Sequence, residues 1–303
     1  MKKLISTLAA AAGLLGAVST AQGADLVNSP LLDPTPVAEQ LPAVDGINFK
    51  LSVLGGSYQR NVIGNADNYM FVGSVAAPLF SNNFGIQIDA GLGAYDGSFT
   101  SAAAGLHLFW RDPSVGMIGI YGDWGYVDPE HAGRVGVELA AYNDRWSLDV
   151  LLGMQFGQHV YTDFIDEVDL SYYFTDNTRG SIGHRLTSRG HVGNLSFEHM
   201  FTDAQWNGVS IFGEVEAGED SYVAGWGGLR YSFGTGSWDS LIERDRRGDP
   251  IVRIPRNLAS ISQCGNLDVP IPKTSLRGEI STLCASESEI NALSTPGISK
   301  LGN

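Results

Sequence analysis

Charged side chains in this chain recur at every second position of short alternating runs, and that spacing limits what chemistry they can do. Within their runs Asp89, Glu138, Asp149, Asp169, Glu198, Glu214 and Glu216, together with Asp123 and Glu167, share parity with Lys50, Arg134, Arg185 and Arg230. In a β-strand, parity is a face. Carboxylates gathered on the inner face of a closed sheet raise the local cation concentration of a water-filled passage. The same carboxylates can instead pair with the guanidiniums and fill the passage, and the residues alone leave both readings open.

Catalysis and metal binding find less support. His107, His184, His191 and His199 stand isolated, no Gly-x-Ser-x-Gly elbow occurs, and neither His131 nor His159 belongs to a cluster with metal-ligand spacing. No catalytic residue, metal ligand or cofactor is expected. Gly225 to Gly228 are not a phosphate loop, because no helix follows them; in a sheet they relieve crowding and allow curvature.

The elements that must position these residues are strands. From Ser221 to Gly234, Val223, Gly225, Gly227, Leu229, Tyr231 and Phe233 alternate with Tyr222, Ala224, Trp226, Gly228, Arg230 and Ser232. Eleven earlier segments alternate in the same way, at about 47–58, 68–79, 84–95, 98–110, 115–126, 131–142, 145–157, 164–174, 178–187, 190–201 and 208–217. The seventh is the clearest, setting Trp146, Leu148, Val150, Leu152, Met154 and Phe156 against Ser147, Asp149, Leu151, Gly153 and Gln155. A soluble β-sandwich or lipocalin-like barrel also alternates, but it hides the apolar face and shows charge to water. Here the apolar face is uninterrupted through the strand centres, which predicts an all-β fold: an antiparallel transmembrane β-barrel of about twelve strands over residues 46–234, with ten or fourteen as alternatives.

Even-numbered segments end in tight polar turns behind Phe80, Trp110, Tyr142, Phe174 and Phe201, while odd ones end in other loops such as 60–67 and 158–163. This predicts one periplasmic rim with an aromatic girdle, to which an even strand count returns the chain. Bulges are expected near Gly55-Gly56 or Gly227-Gly228.

The N-terminus sets the compartment. Lys2 and Lys3, the apolar run from Leu4 to Val18, and Ala21-Gln22-Gly23 form a bacterial secretory signal over residues 1–23. Residues 24–45 carry Pro30, Pro34, Pro36 and Pro42 and read as an extended periplasmic leader. After residue 23 no stretch is long and apolar enough for a membrane helix. The net charge of −14 argues against nucleic acid as a partner. The expected site is the bacterial outer membrane, with its lipid, lipopolysaccharide and barrel-assembly machinery as partners.

Alternation stops at Gly234, and residues 235–303 read as an irregular periplasmic tail. It opens on the charge cluster SLIERDRRGDP (Ser240 to Pro250), and a short helix is expected at Ser286 to Leu293. In an exported chain Cys264 and Cys284 pair, closing a loop of about twenty residues worth on the order of 3 kcal/mol, or they remain as free or intermolecular thiols. Such a tail could gate the pore or bind peptidoglycan or a periplasmic protein.

The run GGLRYSFG (Gly227 to Gly234) followed by SLIERDRRGDP resembles the end of a group of uncharacterised proteobacterial outer-membrane, porin-like barrel proteins. That resemblance covers strands eight to twelve and the charged segment, and implies fold and location but no activity. More loosely, a twelve-stranded barrel with sequence after it is similar to the translocator of inverse autotransporters (intimin and invasin), although no immunoglobulin-like passenger is seen in Thr235 to Asn303. The leading expectation is a small channel or structural envelope protein with an acidic, cation-favouring lumen. The alternatives are a translocator or adhesin-type surface barrel whose tail passes outward and, third, a barrel enzyme.

Overall fold

The computed structural model describes residues 41–263, apart from 61–63, 96, 98, 129, 158–161, 188–189, 204, 220 and 237. The signal sequence, most of the leader, the Cys264–Cys284 pairing and the helix expected at Ser286 to Leu293 lie outside the described residues.

Period-two alternation becomes twelve antiparallel strands: β1 (Asn48–Arg60), β2 (Gly64–Leu79), β3 (Ser81–Tyr95), β4 (Phe99–Asp112), β5 (Gly116–Val127), β6 (Glu130–Asn143), β7 (Trp146–Gly157), β8 (Asp163–Thr175), β9 (Thr178–Thr187), β10 (Gly190–Met200), β11 (Val209–Gly218) and β12 (Val223–Gly234). Each pairs with its neighbours in sequence, and β1 pairs with β12, so the sheet is a closed barrel. Closure leaves no unpaired edge, the condition for a sheet to sit in lipid. Strand lengths from 10 residues in β9 to 16 in β2 suffice to cross a hydrocarbon core, which needs about ten tilted residues.

Val53, Phe71, Ile88, Leu106, Ile120, Val137, Leu170, Ile182, Leu195, Ile211 and Leu229 form a continuous exposed band around the wall. Aromatic rings flank it at both ends. Phe49 stacks on Phe233 (5.3 Å), and Trp146 packs at a tilt against Tyr172 (4.6 Å), at the rim that carries Asn48 and Gly234, the near rim. Trp124 stacks on Tyr126 (6.1 Å) toward the far rim. Two girdles bound the band, where the sequence pointed to one.

The turns depart from expectation. β3 already begins at Ser81, so Ser81-Asn82-Asn83 is strand, and the reversal is made by Phe80 with φ 55°. Pro78 has no N–H to give the ladder, and the register shifts beside it, between Pro78 and Leu79. The far-rim connections at 61–63, 96–98, 128–129, 158–162, 188–189 and 219–222 span two to five residues against one to three for four of the near-rim ones, and the longest of all, 201–208, lies at the near rim. Loop length therefore does not distinguish the rims, because strands such as β2 run further than their apolar centres suggest.

No bulge interrupts β1 or β12 at their paired glycines, where the register runs unbroken from Asn48–Gly234 to Gln59–Val223. Gly228 serves a different need there. A Cβ on it would lie 2.0 Å from the Val53 carbonyl oxygen, so only glycine lets the two strands approach this closely.

The segment after Gly234, expected as an irregular tail able to gate the pore, turns back into the barrel over its described residues. Ser240 starts a short helical hook: its Oγ accepts from the Glu243 N–H while the Glu243 carboxylate accepts from the Asp239 N–H, a variant of the capping box. The hook, Leu241–Glu243 running into a π-turn at Arg244–Gly248, sits at the near rim, with Leu241 fully buried against Tyr173, Met200 and Trp238. Helix α1 (Ile254–Gln263) follows inside the lumen. The burial of so many charges here is a matter of pairing, since carboxylates of the wall meet arginines of the returning chain.

Candidate functional site: the occupied lumen

α1 is amphipathic, and its two faces match two sides of the wall. Ile254, Leu258 and Ile261, at i, i+4 and i+7, form one stripe. They are completely or almost completely buried in a cluster with Leu54, Met70, Val72, Ala103, Val127 and Trp226, the apolar inner faces of β1, β2, β4, β5 and β12. Pro255 is tolerated in the first turn, where a missing N–H costs nothing.

The polar contacts come from Arg253 just ahead of the helix, from Arg256 on the opposite face and from Asn257 at the flank of the stripe. Glu167 of β8 receives Arg253 at 2.9 Å, Arg256 at 3.4 Å and, from the wall, Arg134 at 2.5 Å. Asp169 receives both terminal nitrogens of Arg256 (2.5 and 3.1 Å), and Glu214 its Nε at 2.9 Å. Asn257 donates to Asp123 (3.0 Å) and to the Ala132 carbonyl (3.2 Å), and Arg134 donates to the Arg253 carbonyl (3.0 Å). Fork-shaped guanidiniums suit this task because each satisfies several acceptors at once.

The hook is held likewise. Glu198 of β10 accepts from Arg244 (2.9 Å), Arg230 (2.6 Å) and Arg179 (3.2 Å). Lys50 pairs with Asp249 at 2.7 Å, and Arg246 donates to the Asp144 and Trp146 carbonyls. The end of the leader joins in: Ala43 and Val44 are buried against Ala76, Phe109 and Met117, and Arg111 donates to the Ala43 and Arg246 carbonyls.

Asp245 lies between Arg179 (2.5 Å), Arg244 (2.8 Å) and the Tyr173 hydroxyl (2.8 Å), with Glu198 and Lys50 nearby. Burial pushes its carboxyl up, but the Arg179 and Arg244 guanidiniums outweigh burial and hold it below the ordinary carboxylate range. A carboxyl held lower when docked than when free supports docking above its free pKa, about 4, and loses that contribution as the pH falls further. Conductance of the full chain is therefore expected to rise in a bilayer recording as the pH falls below about 4. Asp245→Asn should conduct already at neutral pH, and an unchanged trace at pH 3 would show that Asp245 does not hold the hook.

Every lumen position singled out in the sequence points inward. Lys50, Asp89, Arg134, Glu138, Asp169, Arg185, Glu198 and Glu216 are buried, and Asp149, Glu214 and Arg230 are half-buried. Arg185 pairs with Glu216 within the wall, and Tyr222 donates to the same carboxylate. The Asp149 side chain makes no ion pair or hydrogen bond among the described residues. It borders a cavity of about 90 Å³, with Ser147, Ser171, Ser181 and Arg179 among its other walls, enough for several water molecules.

His107 is not isolated. Its Nδ1 lies 2.9 Å from Glu138 and its Nε2 3.2 Å from Asp89, which Gln87 also contacts. Glu138 reaches past β5 because Gly119, its partner there, has no side chain: a Cβ would come within 3.1 Å of the carboxylate. With both nitrogens on carboxylates, neither is left to take a proton from a nucleophile, so the trio fits a structural clamp rather than a catalytic one. His184 contacts His191 (2.9 Å) and Asp166 (3.2 Å) on the outer surface, and His199 contacts Thr178 (2.8 Å). Among the described residues no group of three or more His, Cys, Asp or Glu is arranged to hold a metal ion.

Arg244, Arg253, Arg256 and Asn257 escaped the sequence reading. The available signal was the Ile254, Leu258, Ile261 stripe, which the polar surroundings masked.

No family model matches the chain, and no curated protein matches it. Among solved structures it is similar to the KdgM porin in complex with disordered oligogalacturonate, at 12% identity over 61% of this chain and 99% of that one, with TM-score 0.47. The COG4313 outer membrane channel from Pseudomonas putida F1 is similar at 8% identity over 66% of this chain and 99% of that one, TM-score 0.47. The translocator domain of the autotransporter NalP from Neisseria meningitidis is similar at 14% identity over 62% of this chain and 88% of that one, TM-score 0.40. The fold stands on the strand pairing itself.

Proposed function

We propose that this protein is an outer-membrane channel held shut by its own C-terminal segment. The observation that carries the reading is the seating of Arg244, Arg253 and Arg256 on Glu198, Glu167 and Asp169: the acidic excess of the wall is the complement of a basic plug. With the plug in place the described residues enclose a cavity of about 90 Å³ that Asp149 borders and a smaller one of about 10 Å³ beside Arg134 and Glu167. With it displaced, Glu167, Asp169, Glu198 and Glu214 would line a passage favouring cations. The plug is held by ion pairs and side-chain packing, so it can leave without breaking the wall.

Planar-bilayer recording in a salt gradient tests this, comparing the mature chain with a form ending at Gly234. The mature chain is expected to be quiet at neutral pH, and the shortened one to give steady steps with a cation-selective reversal potential. A shortened barrel that is folded yet silent would sink the channel reading and leave a structural envelope protein.

A further inference from the structure

Two histidines that stand apart in the sequence meet on the outside of the wall, away from the plug. His184 on β9 and His191 on β10 share parity with the exposed Ile182 and Leu195, so both rings lie on the outer face. Across the ladder His184 is opposite Gly193, which has no side chain, and His191 lies on the diagonal, two residues nearer the far rim. The rings bridge that offset: their centroids are 5.1 Å apart, and His184 Nε2 lies 2.9 Å from His191 Nδ1. On its other side His184 Nδ1 lies 3.2 Å from Asp166 Oδ1 of β8, an oxygen that also accepts the Leu186 N–H at 3.2 Å. The His184 side chain is 45% exposed and His191 is exposed, whereas Asp166 is 8% exposed. Water therefore reaches the rings while the carboxylate behind them is sheltered.

The carboxylate decides where the protons sit. Asp166 favours the His184 proton on Nδ1, which turns the Nε2 lone pair toward His191. His191 can donate to it from Nδ1, or carry its own proton on Nε2 and offer a second lone pair at the same place. With bonds of about 2.0–2.1 Å, as for imidazole on zinc, a 2.9 Å separation closes an angle of roughly 90° at a shared ion. That is the angle between neighbouring corners of a square or an octahedron, and it is narrower than a tetrahedron needs. Imidazoles so placed suit Cu2+ or Ni2+, and a carboxylate behind a ligating imidazole is the usual support for one.

We propose that His184 and His191 chelate one divalent transition-metal ion of the Cu2+ or Ni2+ type near the far rim, with water in the remaining positions. Asp166 is a positioning residue that acts through His184. Each ring swings slightly to aim its lone pair at a point beside the present contact. The bound ion ties β9 to β10 directly and to β8 through Asp166, so occupancy stabilises the wall. This does not depend on whether the barrel conducts.

The mature chain in detergent micelles is titrated with Cu2+, and separately with Ni2+, beside His184→Gln, His191→Gln and the double variant. Each is first shown to fold by faster migration of the unheated protein on a denaturing gel. Ions held elsewhere on the chain remain in the double variant and are subtracted. One ion per chain is expected, its affinity falling at least tenfold with either single substitution and hardly further with both. Asp166→Asn, which keeps an acceptor for the Leu186 N–H, should lower affinity roughly tenfold to a hundredfold. At one equivalent of Cu2+, the electron paramagnetic resonance spectrum of the unaltered chain should show splitting by two nitrogens, and Asp166→Asn should keep that pattern. Equal binding by the unaltered chain and the double variant overturns the proposal. So does the loss of two ions in two equal steps, the behaviour of separate surface histidines. If a variant fails to fold, the spectrum of the unaltered chain decides alone, and splitting by one nitrogen or none overturns the chelate.

Discussion

A full-length chain carrying Glu167→Ala is expected to conduct almost as readily as the form ending at Gly234. Glu167 is buried, and its two oxygens accept from Arg134, Arg253 and Arg256. Without it Arg134 keeps Asp123 and Arg256 keeps Asp169 and Glu214, but the ion pair seen for Arg253 is gone. Removing one partner of a buried pair costs about 3–5 kcal/mol because the other charge stays buried and uncompensated. At 1.4 kcal/mol per decade that moves the docked-to-free ratio by roughly two to three and a half orders of magnitude. The wall should survive, since its ladders do not depend on this side chain. Glu167→Gln keeps the shape and one acceptor and should open the lumen less. Conductance of the full-length variant measured beside the shortened form decides the matter. A folded Glu167→Ala protein that stays silent would mean that the apolar stripe of Ile254, Leu258 and Ile261 holds the plug unaided.

Gly228→Ala should strike the wall itself. The added Cβ would meet the Val53 carbonyl oxygen at 2.0 Å and the Leu54 Cα at 2.9 Å, backbone atoms that cannot rotate aside. Overpacking by one methyl costs about 1–3 kcal/mol where side chains can give way. Here the relief is to part β1 from β12, and in lipid each backbone group so freed costs several kcal/mol more. The expected outcome is a collapse in the folded fraction, read by heat-modifiable migration and by the midpoint of urea unfolding. Gly225→Ala, three residues away, is the control. Its Cβ would find only ordinary contacts, Val215 Cγ1 at 3.5 Å and the Glu214 carbonyl oxygen at 3.7 Å, so folding should barely change. Equal behaviour of the two variants would show that the seam yields more easily than its geometry implies.

The wall was legible because each strand of a membrane barrel repeats the same demand, apolar outward and polar inward, over ten or more residues. β7, with Trp146 to Phe156 against Ser147 to Gln155, shows how little else that demand allows. The far-rim strand ends were less legible, because residues such as those from Gly64 to Asn68 lie beyond the apolar centre and look like loop. The plug was hidden for another reason. Arg256 and Asp169 are 87 positions apart, and a polar segment rich in arginine normally reads as solvated. Beside the masked stripe of Ile254, Leu258 and Ile261, a count of wall carboxylates in excess of wall cations pointed to a missing partner, and that excess reads equally well as selectivity. His107 failed in the same way, its partners lying 18 and 31 residues away on other strands.

The seam between β1 and β12 also fixes an order of events. Residues 48 to 59 wait for the last strand before the circle can close, a pairing of long sequence separation and so a slow one. The hook leans on Ser232 of that strand, and α1 packs on the completed wall, with Trp226 among its neighbours. Both draw their contacts from β1 together with β12, so their full packing is made only once the circle has closed. On the channel reading proposed above, a molecule whose circle has closed and whose plug has not yet docked is an open ring lined with carboxylates. The leak a cell tolerates is then governed by how fast a tethered segment of a few dozen residues finds the mouth beside it.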